Sequence, residues 1–264
     1  MMTLDYIKTD PTKNITALVT TPVTPERQAA AAEALMARLP DCEQVGFVGE
    51  SAGCDAALRM MGGEFCGNAS LSLGAVLAQR QGRGGTFTLR VSGAAGPVTV
   101  DITKEHDGWR GRVSMPLPTE IRRVEFGRCA ADVVFFPGIA HAFPTVPLPV
   151  PLAEMLIREW AAALGAEALG VMLTDERAGT LTPVVYVRST DTVVRESSCA
   201  SGTAAAAALA ALKSGRASLT LKEPGGALSA EAEAREGRIT ALSLTGSVRI
   251  LGRGSVTPAE NSYI

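Results

Sequence analysis

Histidine is scarce in this chain, with His106 and His141 the only two. That shortage leaves little material for a histidine-built metal centre or a histidine-based catalytic triad. Cysteine does not fill the gap as a metal ligand. No two of Cys42, Cys54, Cys66, Cys129 and Cys199 lie two to four residues apart, so no zinc site of the usual spacing, and no metal, is expected. Five cysteines in a long chain also argue against a disulfide framework. No apolar run reaches the roughly 18 residues that a membrane span requires. Asp5, Lys8 and Asp10 stand where a secretory signal needs apolar residues, so the expected location is cytoplasmic. Lysine and arginine are scattered and the net charge is −2. Neither nucleic acid nor a membrane is therefore expected as a partner.

What is present is ordinary for a soluble globular protein: 264 residues, 46% hydrophobic and 20% charged. That length allows one large domain or two smaller ones. Two stretches stand out. Glu64-Phe65-Cys66-Gly67-Asn68-Ala69 ends a strand on a cysteine and turns into a helix of small residues. Glu196-Ser197-Ser198-Cys199-Ala200-Ser201-Gly202-Thr203 repeats the design. The helix after the first spans 68–79 without a charge, and the helix after the second, 203–213, is almost all alanine and leucine. Helices without a polar face are buried on all sides.

Around these motifs the elements recur in order. Strands are expected at 15–23, 44–48 and 57–61, with a helix at 29–39 begun by Thr24-Pro25 and stopped by Pro40. Strands at 86–91, 97–103 and 109–115 follow the first cysteine helix. In the second half, 141–150 is extended and Pro151 opens a helix to Leu164. Strands are then expected at 184–188, 192–194, 218–222, 227–234 and 239–244. The distance from Cys66 to Cys199 is 133 (199 − 66), and Gly82-Arg83 and Gly215-Arg216 stand equally far apart. Gly93 and Gly96 are echoed by Gly225 and Gly226, Thr24-Pro25 by Val150-Pro151, and Asn14 falls opposite His141. A shared order at so long a period implies two duplicated α/β domains, not a solenoid. Two such domains meet in a cleft, a preferred place for a ligand.

A free cysteine is most often a small buried hydrophobe, which suffices for Cys42, Cys54 and Cys129. Cys66 and Cys199 differ because each stands at a helix start. There, unpaired N–H groups and the helix dipole stabilise negative charge. The expected result is a lowered thiol pKa and an available thiolate, with backbone N–H groups free to bind a substrate carboxylate. Gly67 and Gly202 clear side chains from the place where a ligand would approach. Two symmetric thiols suit racemisation: one thiolate removes the α-proton, and the opposing thiol returns a proton to the other face. Donors at the carboxylate stabilise the carbanion. No cofactor is needed, and no lysine site marks a pyridoxal enzyme.

Phe65-Cys66-Gly67-Asn68 and Cys199-Ala200-Ser201-Gly202-Thr203 resemble the two catalytic motifs of the diaminopimelate epimerase and proline racemase superfamily. Asn14 resembles its N-terminal substrate-contacting asparagine, and Gly138-Ile139-Ala140-His141-Ala142 its Asn-Pro-His segment. Gly225-Gly226 and Thr245-Gly246 resemble its closing strands. The resemblance implies an α/β (α+β) fold of two pseudo-symmetric domains, each a barrel-like, mostly antiparallel sheet around a central helix. The expected domains are residues 1–117 with the tail 253–264, and residues 118–252. It further implies that Cys66 and Cys199 are catalytic in the cleft between them. Asn14, Gly67, Asn68, His141, Ala200, Ser201, Gly202 and Thr203 would contact substrate, and Glu196, or less readily Glu64, would take its ammonium. The partner is a small amino acid, and a homodimer is the assembly allowed for.

The departures narrow the substrate. Diaminopimelate epimerases follow the first motif with glycine and then arginine, where this chain has Ala69-Ser70-Leu71. They also place Glu-Arg-Gly before the second cysteine, where Thr190-Asp191-Thr192 stands here. A second amino-acid end therefore lacks its arginine. Proline racemases usually carry histidine in place of Asn68, and the phenazine-pathway isomerases lack the cysteine pair. The histidine racemases of opine-metallophore pathways are the nearest variant, with diaminopimelate epimerase and proline or hydroxyproline racemase as alternatives. Two readings of other classes are weaker. Gly49-Glu50-Ser51-Ala52-Gly53 matches the nucleophile elbow of serine hydrolases, but no helix is expected after Ser51. A non-catalytic binding protein on the same scaffold would not need both thiols.

Overall fold

In the computed structural model, which describes residues 2–188 and 191–257, the chain is a mixed α/β fold with four helices among those residues. It divides into two compact units. The first contains the chain up to Ser114 and the stretch from Thr245 onward, and the second is Met115–Leu244. None of the described helices is long and apolar enough to cross a membrane.

The first unit runs β1 (Leu4–Pro11), β2 (Thr16–Val19), α1 (Pro25–Met36), β3 (Gln44–Gly49), β4 (Ala56–Met60), α2 (Gly67–Gln81), β5 (Gly85–Val91), β6 (Val98–Glu105) and β7 (Gly108–Ser114). These seven strands neighbour one another in chain order. The last strand among the described residues, β16 (Arg238–Val256), neighbours β7 and also pairs with β1 from Leu4↔Val256 to Pro11↔Val248, so the strands of this unit close on themselves. Two pairings, β2 with β3 and β4 with β5, are parallel. A parallel pair needs a crossover, and α1 and α2 provide the two.

Helix α2 packs against β1, β2, β5, β6 and β7 and is buried from Gly67 to Val76. Close packing depends on glycine. A Cβ at Gly74 would stand 2.7 Å from Val100 Cγ1, and one at Gly111 would stand 2.7 Å from Leu71 Cδ2. Smaller residues on both faces let the helix approach the sheet.

The second unit runs β8 (Glu120–Phe126), β9 (Cys129–Phe136), β10 (Ile139–Pro144), α3 (Val150–Leu164), β11 (Ala168–Asp175), β12 (Thr180–Val187), β13 (Thr192–Arg195), α4 (Ala200–Ser214), β14 (Arg216–Glu223), β15 (Gly226–Arg235) and the first residues of β16. Its strand order is β15-β14-β12-β11-β10-β9-β8, with β13 paired to Val184–Val187 along the same edge of β12 that β14 meets at Thr180. Here too the helices cross between parallel strands, α3 from β10 to β11 and α4 from β12 to β14. Helix α4 lies against β14, β15 and β10. Its buried Ala204, Ala205, Ala207, Ala208 and Ala211 do the work of the first unit's glycines, and Ala230 and Ala232 of β15 match them. Under α3, Trp160 stacks on Phe126 at 4.3 Å between ring centroids.

Several elements differ from the sequence expectation. Helix α1 begins at Pro25 and ends at Met36, short of the expected Leu39, as Arg38 N–H and Leu39 N–H reach back three residues to the Leu35 and Met36 carbonyls and tighten the last turn. Strands β1, β8, β9 and β11 carry no expectation from the sequence. The alternation in β8, Glu-Ile-Arg-Arg-Val-Glu-Phe, is broken by paired arginines, and β1 mixes charges with apolar residues. Strand β16 continues twelve residues past Leu244, to Val256.

Candidate active site

Both cysteines stand at the N-cap of a crossover helix, in extended backbone (φ −125° at Cys66, −124° at Cys199). Each helix ends on a glycine, Gly82 and Gly215. The segment before each cysteine is tied down at the same point, the carbonyl two residues upstream. In the first unit the Ser92 hydroxyl donates to the Glu64 carbonyl at 2.7 Å. In the second, the Gly225 N–H donates to the Ser197 carbonyl, also at 2.7 Å. Gly93 (φ +73°) adds a steric reason in the first unit, since a Cβ there would fall 2.2 Å from Phe65 N.

The sulfurs are held differently. Cys66 is partly exposed, and its Sγ accepts the Ala69 N–H at 3.4 Å, so the thiol caps its own helix. The Ser70 hydroxyl returns to the Cys66 carbonyl at 2.8 Å. Gly67 and Asn68 are buried at the first two positions of α2. Cys199 is buried at 4% exposure. The Gly202 N–H faces its sulfur and eases negative charge there without closing a cap hydrogen bond. The Ser201 hydroxyl lies 3.7 Å from Cys199 Sγ and 2.8 Å from His141 Nε2.

His141, Cys199, Ser201, Gly202 and Thr203 are therefore brought together in the second unit, with Ala200 buried beside them. His141 is fully buried, pairs in register with Gly170, and leaves its Nδ1 without a hydrogen-bond partner. Burial holds its pKa down, to about 3, so the ring is neutral throughout the physiological range. Asn14 is buried in the first unit and donates to Glu43 Oε2 at 2.8 Å. The loop before it carries Thr12 and Lys13 at positive φ, with Asp10 Oδ1 accepting the Lys13 N–H. Glu196 is half-buried and directs negative charge towards Cys199. Burial raises the pKa of Glu64, against the nearby Arg59. Thr190 lies outside the described residues, as do residues 258–264 of the tail.

Two expectations need correction. The helix start was expected to lower the thiol pKa at Cys199, but burial pushes it well up, helped by the charges of Glu196 and Glu223. The helix N-terminus acts in the other direction and is outweighed. Gly202 was expected to clear space for a ligand, yet Met172 Sδ occupies that space, 2.3 Å from where a Cβ would stand. The serine hydrolase reading fails on context. Ser51 lies in the turn between β3 and β4, and the element that follows is a strand, not a helix.

Sequence reasoning missed Glu223. It is buried at the end of β14, accepts the Cys199 N–H on Oε2 at 2.6 Å, and accepts the Thr203 hydroxyl on Oε1. Burial raises its carboxyl to about pKa 7. A signal did exist: Glu223-Pro224-Gly225-Gly226 follows the strand after the second cysteine helix, where the first unit has Val91-Ser92-Gly93.

Comparison with known proteins shows which family the chain resembles. The family described as "Histidine racemase CntK N-terminal domain" matches residues 3–257. A histidine racemase of Staphylococcus aureus is 30% identical over 219 residues, covering 76% of this chain and 77% of that protein. One from Fusobacterium nucleatum is 29% identical over 213 residues, covering 76% and 79%. Among solved structures, a hydroxyproline epimerase from Agrobacterium vitis with bound trans-4-hydroxy-L-proline superposes with a TM-score of 0.69 at 13% identity, covering 96% of this chain and 92% of that one.

Proposed function

The chain belongs to the histidine racemase family, and on that premise we propose that it inverts the α-carbon of histidine without a pyridoxal cofactor. The observation that carries the reading is the matched pair: one cysteine at the N-cap of the second crossover helix in each unit. In this reading the units are two domains of diaminopimelate epimerase type, descended from a duplication. Cys66 and Cys199 act on opposite faces of the α-carbon of one bound substrate.

The cycle moves one proton in and one out. A thiolate takes the α-proton and becomes a thiol, leaving a carbanion whose charge spreads into the carboxylate. The opposing thiol gives its proton to the other face and becomes the thiolate. The enzyme ends in the mirror protonation state, ready for the enantiomer. Chain groups at the two helix starts, among them Gly67, Asn68, Ala200 and Ser201, hold the carboxylate as charge develops. Glu196 takes the ammonium, supported by the negative charge it already directs to this corner. The buried, neutral His141 acts through Ser201, whose hydroxyl lies between it and Cys199 Sγ.

The test is chiral chromatography of L-histidine incubated with purified protein free of pyridoxal, with diaminopimelate, proline and the other L-amino acids run in parallel. Histidine is expected to be racemised fastest. Faster turnover of another amino acid would replace the substrate, and no turnover of any would remove the racemase reading.

A further inference from the structure

Glu223 has no task in the cycle above, although its buried carboxyl touches the catalytic segment. In a capping box, the N–H of the N-cap residue is satisfied by a carboxylate at the third helical position. In α4 that position is Gly202, which has no side chain and no room for one beside Met172. The carboxylate comes instead from the sheet, through Glu223 at the end of β14. The first unit ends its corresponding strand, β5, on the buried and uncharged Val91. There Cys66 caps its own helix with sulfur, a duty from which Cys199 is free.

Building on the racemase reading, we infer that Glu223 is a positioning residue for Cys199. Its carboxylate holds the Cys199 N–H and the Thr203 hydroxyl, fixing the backbone from which the thiol projects. Its negative charge disfavours a second negative charge on the sulfur, so the free enzyme favours Cys199 as the thiol, and only turnover of the opposite enantiomer starts from its thiolate. The surroundings reinforce this. Glu196, in the segment before α4, adds negative charge toward both Glu223 and Cys199. From β10, His141 reaches this corner through Ser201 and is neutral. From β15, Glu223 is met by Gly226, and from β12 Thr180 pairs with the adjacent Lys222.

The substitution that separates charge from shape is Glu223→Gln. Its amide oxygen can still accept the Cys199 N–H, and its NH2 can donate to Thr203. The readout is the pH titration of the Cys199 Cβ resonance in protein labelled with 13C-cysteine, assigned by its loss in Cys199→Ser. In Glu223→Gln the Cys199 midpoint is expected to fall by about one pH unit. The alkaline limb of the pH–rate profile for α-proton exchange should move down with it. A merely structural role for Glu223 would leave both unmoved, and an unmoved midpoint overturns the inference. If the variant fails to fold, the wild-type titration decides. The Cys199 resonance should show a step near pH 7 where Glu223 itself titrates, and the absence of that step overturns the inference equally. The two readings fail separately: wild-type protein that exchanges no α-proton sinks the racemase reading, whereas exchange with an unmoved midpoint sinks only the role of Glu223.

Discussion

Helices α2 and α4 hold the same place in their units, each crossing between parallel strands and each starting on a cysteine. They differ in what supports that start. At Cys66 the helix start is capped locally: the sulfur takes an N–H three residues on, and Ser70 returns to the cysteine carbonyl. At Cys199 the support comes from a distance, from Glu223 on the sheet and His141 on β10 by way of Ser201. A duplicated motif can therefore keep its backbone and change its electrostatics. The first unit keeps its cysteine partly exposed, and the second buries its cysteine among carboxylates. A reaction that needs one thiolate and one thiol gains from that inequality.

The comparison can be broken most severely at the sulfurs. Cys66→Ser and Cys199→Ser are each expected to lower histidine racemisation by at least about a hundredfold, the scale of a lost acid–base group. Full activity in either would mean that the two starts are not partners.

A smaller effect comes from His141, which reaches Cys199 by way of Ser201. Its folded pKa, about 3, lies below the ordinary 6.5. The unfolded chain therefore takes up a proton first as pH falls, and stability is lost from pH 6.5 downward. Between pH 7.5 and 4.5 wild type should lose about 2–3 kcal/mol more than His141→Gln, read from urea denaturation. Parallel losses in the two proteins would show that His141 is not held neutral by burial.

Glu223 gives the opposite sign. Its folded pKa, about 7, lies above the ordinary 4.5. Stability is then greatest below pH 4.5 and is lost as pH rises towards 7. Between pH 5 and 8, wild type should lose about 2 kcal/mol relative to Glu223→Gln. Val91, its counterpart in the first unit, cannot titrate, so Val91→Ala should alter stability without altering that slope.

The smallest effect sharpens the first unit alone. Gly93→Ala forces a Cβ into left-handed backbone and against Phe65 N, and should destabilise by about 1–3 kcal/mol in thermal or urea unfolding. Gly96→Ala, whose Cβ would meet nothing within 4 Å, is the control and should be near neutral.

The parts of the site that follow from local rules were legible in the sequence. A cysteine, a glycine or alanine, and then a small-residue helix is a pattern of adjacent residues, and both helix starts fell within a few residues of their expected positions. Strands with mixed faces were not legible: β1 and β8 carry charge where a half-buried strand would alternate cleanly. Glu223 was passed over for a different reason, despite its place before the paired glycines. It lies 24 residues beyond Cys199, and one glutamate among 27 acidic residues reads as solvated surface until the fold buries it. The thiol of Cys199 was misjudged for the same cause, since a helix dipole is readable from sequence, while burial and two converging carboxylates are not.

The most direct test of two opposed cysteines is racemisation of protiated L-histidine in heavy water, stopped early and analysed by chiral separation and mass spectrometry. Removal by one cysteine and return by the other requires that the D-histidine formed carry one solvent deuterium while the remaining L-histidine stays protiated. D-histidine that keeps the substrate's own α-proton, or deuterium appearing in L-histidine as fast as in D-histidine, would contradict it.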